Sequence, residues 1–253
     1  MNVLLLSMPD SFEHMAPVAI RMPNGALASL AGNVDDADRV HVADLILAQR
    51  SVAPTVERLV RELQPDVVGL SVMTFQRATA LKVARLVRTL RPGVRVVAGG
   101  YDPSLAPECY AAADSGADFL VRGEGELTFR ELLSALRLDS PLDGIAGLSW
   151  RAGGAWRHNP PRGVQGLGDG TIRPPNRQAR LLRGFTLLWR PVDVVETSRG
   201  STLDCSFCSI TEMRGSNFHR FTFDRVLDDI RDARAHGARA IFIVDDNVTL
   251  DVA

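Results

Sequence analysis

A chain of 253 residues, 45% of them hydrophobic, can bury one large domain or two smaller ones. Its formal net charge of −1 gives no bulk attraction for nucleic acid or for a membrane surface, and neither is expected as a partner. Three cysteines cannot build a disulfide framework, so a reducing cytoplasm is the expected compartment.

The opening MNVLLLSMPD lacks a basic leader and has too short an apolar run for a signal peptide; it reads as a first strand over residues 2–7. RVHVADL (39–45) is a second strand. Val56, Leu59, Val60 and Leu63 recur at helical spacing, and DVVGLSV (66–72) is a third strand. Leu81, Ala84 and Val87, with Leu86 and Leu90 beside them, mark another helix before VRVVAGG (94–100) and DFLVRGEGE (118–126). Short apolar strands alternating with helices predict an α/β domain, Rossmann-like or flavodoxin-like, over residues 1–140, with a parallel sheet covered on both faces. Ligands of such sheets bind beyond the carboxyl ends of the strands.

Those ends carry Ser71 and Thr74, Gly99 and Gly100, and Gly123 and Glu124. Paired glycines let a ligand approach the backbone, and hydroxyls offer hydrogen bonds without bulk. Tight turns need the same residue types for their own geometry. With SMPDSFEHMAP after the first strand, four such loops on one sheet edge favour a ligand crevice, and none is the G-x-G-x-x-G of a dinucleotide site.

After Leu138 the texture changes. Residues 144–159 alternate around Gly153-Gly154 as a β-hairpin, and the Gly-, Pro- and Arg-rich stretch that follows reads as a linker, so that residues 141–190 join two domains. From 191 a strand, a cysteine loop, a helix and a strand ending in Asp245 and Asp246 form one βαβ unit. Thr222 is the expected N-cap of that helix, Gly237 its stop, and Val226, Leu227, Ile230 and Ala233 its apolar face. Such a unit buries little alone and reads as the first part of a barrel whose remainder this sequence lacks.

The cysteine loop, ETSRGSTLDCSFCSITEMRG (196–215), holds Cys205 and Cys208 with Ser201 where a third thiol would complete C-x-x-x-C-x-x-C. ETSRG-STLD-CSFC resembles the E-x-S-R-G-C-x-x-x-C-x-F-C segment of the cobalamin-dependent radical SAM enzymes. GGYDPSLAPE and ADFLVRGEGELTFRELLSAL resemble further segments of that family, as does SMPDSFEHMAP with PNGALASLAG after it. The resemblance implies an N-terminal B12-binding domain, a linker and the start of a radical SAM barrel (191–253). It implies three cofactors: cobalamin, a [4Fe–4S] cluster and S-adenosylmethionine (SAM), the last cleaved to a 5′-deoxyadenosyl radical. It implies an external electron donor and, most often in the family, methyl transfer to an unspecified small-molecule substrate. Phe207 would then lie near adenine, and Asp245 and Asp246 would face the SAM amino group; loop packing and a solvated strand end are the plain alternatives.

Two departures from the pattern concern metals. Ser201 is a harder, far less acidic ligand than a thiolate, so a labile, incomplete or absent cluster is expected. No D-x-H-x-x-G segment is present, and His14 and His41 read as ordinary surface or packing residues. A structural zinc site built from Cys205, Cys208, His219 and one further ligand is the competing metal reading, and Cys109 reads as a buried hydrophobe on a helix. A non-catalytic cobalamin-binding module or decayed remnant is the competing function.

Overall fold

A computed structural model describes residues 1–10 and 20–250; residues 11–19, with His14 and most of SMPDSFEHMAP, lie outside the described set. The first half is built from β1 (Asn2–Ser7), the short β2 (Ile20–Arg21), α1 (Gly25–Gly32), β3 (Arg39–Asp44), α2 (Val52–Leu63), β4 (Val67–Ser71), α3 (Arg77–Leu90), β5 (Arg95–Gly99), α4 (Tyr101–Leu105), β6 (Phe119–Val121) and α5 (Gly125–Leu138). The strands order as β3-β1-β4-β5-β6, all parallel, as a flavodoxin-like doubly wound sheet requires.

Period-two alternation along β1 sorts the core. Val3 and Leu5 pack with Leu27 of α1 and Phe129, Leu132 and Leu133 of α5 on one face. Leu4 and Leu6 pack with Val56, Leu59 and Val60 of α2 and Val83, Ala84 and Val87 of α3 on the other. Each fully buried Leu or Val contributes about 1.5–3 kcal/mol of transfer free energy. His41 is half-buried on β3. Cys109 lies on a short 3₁₀ helix (Pro107–Tyr110) and is half-buried against the cluster of Tyr110 and Leu120, not fully buried as expected.

The hairpin belongs to the first sheet. β7 (Leu148–Ala152) pairs antiparallel with β6, and β8 (Ala155–His158) pairs with β7, making seven strands. The stretch expected as a linker forms almost no regular structure, yet it is packed. The Val42 N–H donates to the Ala179 carbonyl and the Val42 carbonyl accepts from the Leu181 N–H, around a bridge to Arg180, and Leu167 and Ile172 join Leu127 and Phe221 in a buried cluster. Buried Arg177 donates to Asp193, Asp229 and Asp232. Its residues face first one half of the molecule and then the other, so no sequence period could report their burial.

The second half holds β9 (Thr186–Leu187), β10 (Arg190–Val195), β11 (Ser198–Ser201), α6 (Ser209–Arg214), β12 (Asn217–Arg220), α7 (Phe223–Ala235) and β13 (Ala240–Ile243). β10 and β13 pair in parallel and are joined through α7, the expected βαβ unit. β9 ties β10 to β2 in the same sheet, which therefore takes a strand from the first half. Thr222 caps α7 by accepting from the Arg225 N–H at 3.4 Å. Ala233 is buried, whereas Ile230, Phe242 and Ile243 stay exposed along the α7–β13 side. Among the described residues no helix is long and apolar enough to cross a membrane.

Candidate cofactor cleft

The carboxyl ends of β4, β5 and β6 are braced into one rim. Gly100 adopts φ +100°, and a Cβ there would meet the Val72 carbonyl oxygen at 2.8 Å, so only glycine fits the turn. The Ser104 hydroxyl donates to the Gly100 carbonyl at 2.6 Å and accepts from the Gly123 N–H at 2.9 Å, fastening the loops after β5 and β6 together. Beneath them the fully buried Asp102 accepts from Arg77 (2.6 and 2.9 Å) and from the Tyr110 hydroxyl (2.7 Å). Asn24 caps α1 and reaches the Ser71 hydroxyl at 3.2 Å.

This rim faces the second half across a cavity of about 340 Å3. Ser71, Gly99, Gly100, Gly123 and Glu124 line one side; Glu196, Arg199, Met213, Arg214 and Asp246 line the other. A buried ionic chain forms part of the lining. Arg199 on β11 reaches Glu126 at 2.7 Å and Glu196 at 2.8 Å, and Arg214 at the end of α6 reaches Glu124 at 3.0 Å. Burial alone would raise the Glu126 carboxyl, but the Arg199 guanidinium and its hydrogen bonds hold it down at about 2. Glu196 ends up raised, because burial outweighs Arg199 there. Burial, and then the nearby Asp246 carboxylate, push Tyr101 up to about 12.

Six of the expected ligand-binding residues therefore share the cavity: Ser71, Gly99, Gly100, Gly123, Glu124 and Asp246. Three do not. Thr74 is exposed on the 3₁₀ turn after β4, because Met73 carries the chain past the rim first. Phe207 is 90% exposed at the tip of the cysteine loop. Asp245 is turned into the protein, accepting from the Thr197 N–H (2.7 Å), the Ser198 hydroxyl (2.8 Å) and the Thr197 hydroxyl. Asp246 accepts from the Gly200 N–H at 2.8 Å, so the aspartate pair also clamps β11.

β11 and β12 pair antiparallel and carry the cysteine loop and α6 between them. Gly200 has φ +90°, and a Cβ there would lie 2.4 Å from the Asn217 carbonyl oxygen, which locks this entry into the loop. Cys208 N–H donates to the Cys205 carbonyl at 3.0 Å, and both thiols are partly accessible. Ser201 is buried, and its hydroxyl accepts from the Leu203 N–H at 3.1 Å. His219 lies on β12 opposite Arg199. No group of three His, Cys, Asp or Glu side chains among the described residues is placed to hold a metal ion, which removes the support for a zinc site through His219.

Sequence reading did not single out Tyr101, Glu126, Glu196, Arg199 or Arg214 as cavity residues. Three of them, Glu126, Glu196 and Arg199, were already visible as letters of G-E-G-E and E-T-S-R-G, but nothing in a one-dimensional pattern says that those two segments meet.

A doubly wound sheet with a glycine-lined carboxyl edge, facing a βα unit that bears a C-x-x-C loop, is the class the fold defines. Residues 15–133 match the B12-binding domain family. Over 99% of its length the chain is 31% identical to the uncharacterized methyltransferase PH0819 of Pyrococcus horikoshii, of which it covers 54%. Over 78% of its length it is 33% identical to the cobalamin-dependent radical SAM methyltransferase TokK of Streptomyces tokunonensis, of which it covers 29%. It thus spans about half the length, or less, of these curated relatives. Two solved structures share its fold at 20% identity. TsrM of Kitasatospora setae, a radical SAM methyltransferase, superposes with a TM-score of 0.74 over 99% of this chain and 48% of that one. OxsB, a cobalamin-dependent radical SAM enzyme solved with aqua-cobalamin and SAM, superposes with 0.78 over 97% and 34%. The chain thus carries a B12-binding domain match and resembles cobalamin-dependent radical SAM enzymes in sequence and in fold.

Proposed function

We propose that the carboxyl edge of the first sheet binds cobalamin and that the chain acts within a cobalamin-dependent radical SAM methyltransferase. The observation that carries this reading is the shared cavity, in which the glycine rim of the B12-binding half faces Glu196 and Asp246 at the ends of the βαβ strands. The rim fits a large planar cofactor. Gly123 has φ +74° and open space where a Cβ would stand, and Gly99 and Gly100 present bare backbone beside it. Ser71 and Glu124 are the polar side chains of this rim that would meet the cofactor's amide periphery.

The cluster donors fit less well. Cys205 and Cys208 offer two thiolates, and the third position is the Ser201 hydroxyl, already engaged with the Leu203 N–H. In the family the cluster and SAM supply a 5′-deoxyadenosyl radical while cobalamin carries the methyl group, with an electron donor for the cluster. In this chain the protein's part is to hold the loop. Asp245 and Asp246 fix β11, and Arg214 anchors α6 to Glu124. The second reading, a cobalamin-binding module without cluster chemistry, is favoured by Ser201 alone.

Cobalt and iron per chain, measured after anaerobic reconstitution with iron, sulfide and hydroxocobalamin, test both readings with Ser201→Cys run alongside. Cobalt near one supports the cobalamin site. Iron that is low in the chain and rises in the Cys variant supports a disabled cluster loop. Iron near four in both supports the enzyme reading, with Ser201 or another group as ligand. Cobalt near zero in both sinks the assignment.

A further inference from the structure

Tyr101 occupies the seam of the cleft. It is the first residue of α4, directly after the Gly99-Gly100 turn, and it lines the cavity. Its backbone has no freedom to drift. Gly100 is packed against Val72, the Asp102 N–H donates to the Val72 carbonyl at 3.1 Å, and the Asp102 side chain is held by Arg77 and Tyr110. On its other side α4 packs on α6, the helix that follows Cys208. The groups that act on its hydroxyl, Asp246, Arg214, Cys208 and Glu196, all come from the second half, across the cleft from its own helix.

That hydroxyl makes no hydrogen bond to any described residue, whereas its neighbour Tyr110 has Asp102. A half-buried phenol kept for packing alone gains nothing from its oxygen and loses part of its hydration. An acceptor arriving with a ligand would remove that cost. Glu196 and Asp246 are both acidic, and Arg214 is already paired with Glu124, so the surroundings disfavour a carboxylate and suit a neutral carbonyl.

We infer that Tyr101 is a ligand-binding residue of this cleft, whose O–H donates to a neutral amide carbonyl on the rim of the corrin seated over Gly99, Gly100 and Gly123. The inference rests on the cobalamin reading above and assigns to that site a contact on the side facing the cysteine loop. Phenols are protonated at neutral pH, so the donor is available throughout the physiological range.

The test is Tyr101→Phe in the full chain, which keeps the ring and removes the oxygen. Hydroxocobalamin affinity is followed by its visible absorbance, SAM affinity by calorimetry, and folding by thermal melting. The expected result is cobalamin binding weakened by about 5- to 10-fold, the worth of one neutral hydrogen bond, with SAM affinity and melting temperature unchanged. Weakening of SAM alone overturns the corrin assignment and gives the donor to the SAM carboxylate. Unchanged affinities, or a parallel fall in both affinities and the melting temperature, also overturn it. Failure of the unsubstituted chain to bind cobalamin removes the underlying reading, and the inference with it; that result is distinct from a Phe variant that binds as well as its parent.

Discussion

Arg199 and Glu126 stand 73 residues apart in sequence and meet at 2.7 Å, each almost wholly buried. One belongs to the strand that leads into the cysteine loop, the other to the first turn of α5 behind the glycine rim. Their contact, with Glu196 and Ser29 as further partners, fixes the cysteine loop against the B12-binding half.

The pair makes acid stability sensitive to one carboxyl. Glu126 sits at about 2 in the folded chain against an ordinary 4.5. A depressed pKa contributes stability that is complete above the ordinary value and is lost as pH falls toward the folded one. Urea midpoints should therefore decline between pH 4.5 and 2, and Glu126→Gln should flatten that decline while lowering the midpoint at pH 7. An unchanged acid slope in the Gln variant would place the titrating group elsewhere.

Asp102 holds the rim from below. Asp102→Ala leaves Arg77 and the Tyr110 hydroxyl without their partner, and loss of one member of such a buried pair costs about 3–5 kcal/mol. A fall of that size in the urea-derived stability, together with loss of cobalamin affinity, is the expected outcome. Asp102→Asn, which keeps the shape and one acceptor, should cost less.

The two positive-φ glycines of the rim separate strain from collision. Gly123→Ala should cost about 1–2 kcal/mol, the penalty of a left-handed backbone with a side chain, because nothing lies within 4 Å of the added carbon. Gly100→Ala carries the same strain plus a contact of 2.8 Å with the Val72 carbonyl, and should be the more damaging in thermal melting. Equal effects would mean that the β5 turn relaxes freely.

Arg214 ties the helix after Cys208 to Glu124 at 3.0 Å. Arg214→Ala is expected to speed limited proteolysis within residues 202–216 several-fold while leaving the global melting temperature nearly unchanged, since α6 has no buried residue of its own. A protection pattern identical to the parent's would show that β11 and β12 alone hold the loop.

Local patterns determined much of this protein. The apolar runs of β1, β3, β4, β5 and β6 and the helical spacing of Val56, Leu59 and Val60 made the doubly wound half legible, since period and burial follow directly from side-chain direction. The cap at Thr222 and the glycine at 100 were readable for the same reason: each answers a need of the backbone beside it. The family was readable from the C-x-x-C loop and the G-E-G-E segment. Only the tertiary structure decided which of those residues share a cavity. It brought Glu126 to Arg199, turned Asp245 inward to Thr197 and left Asp246 on the cleft, although the two aspartates are adjacent in sequence. It also packed the Arg-rich segment, which composition marked only as a linker, around Arg177. Long-range ion pairs and the choice of inward or outward at a strand end depend on what lies across the gap, and no local period records that.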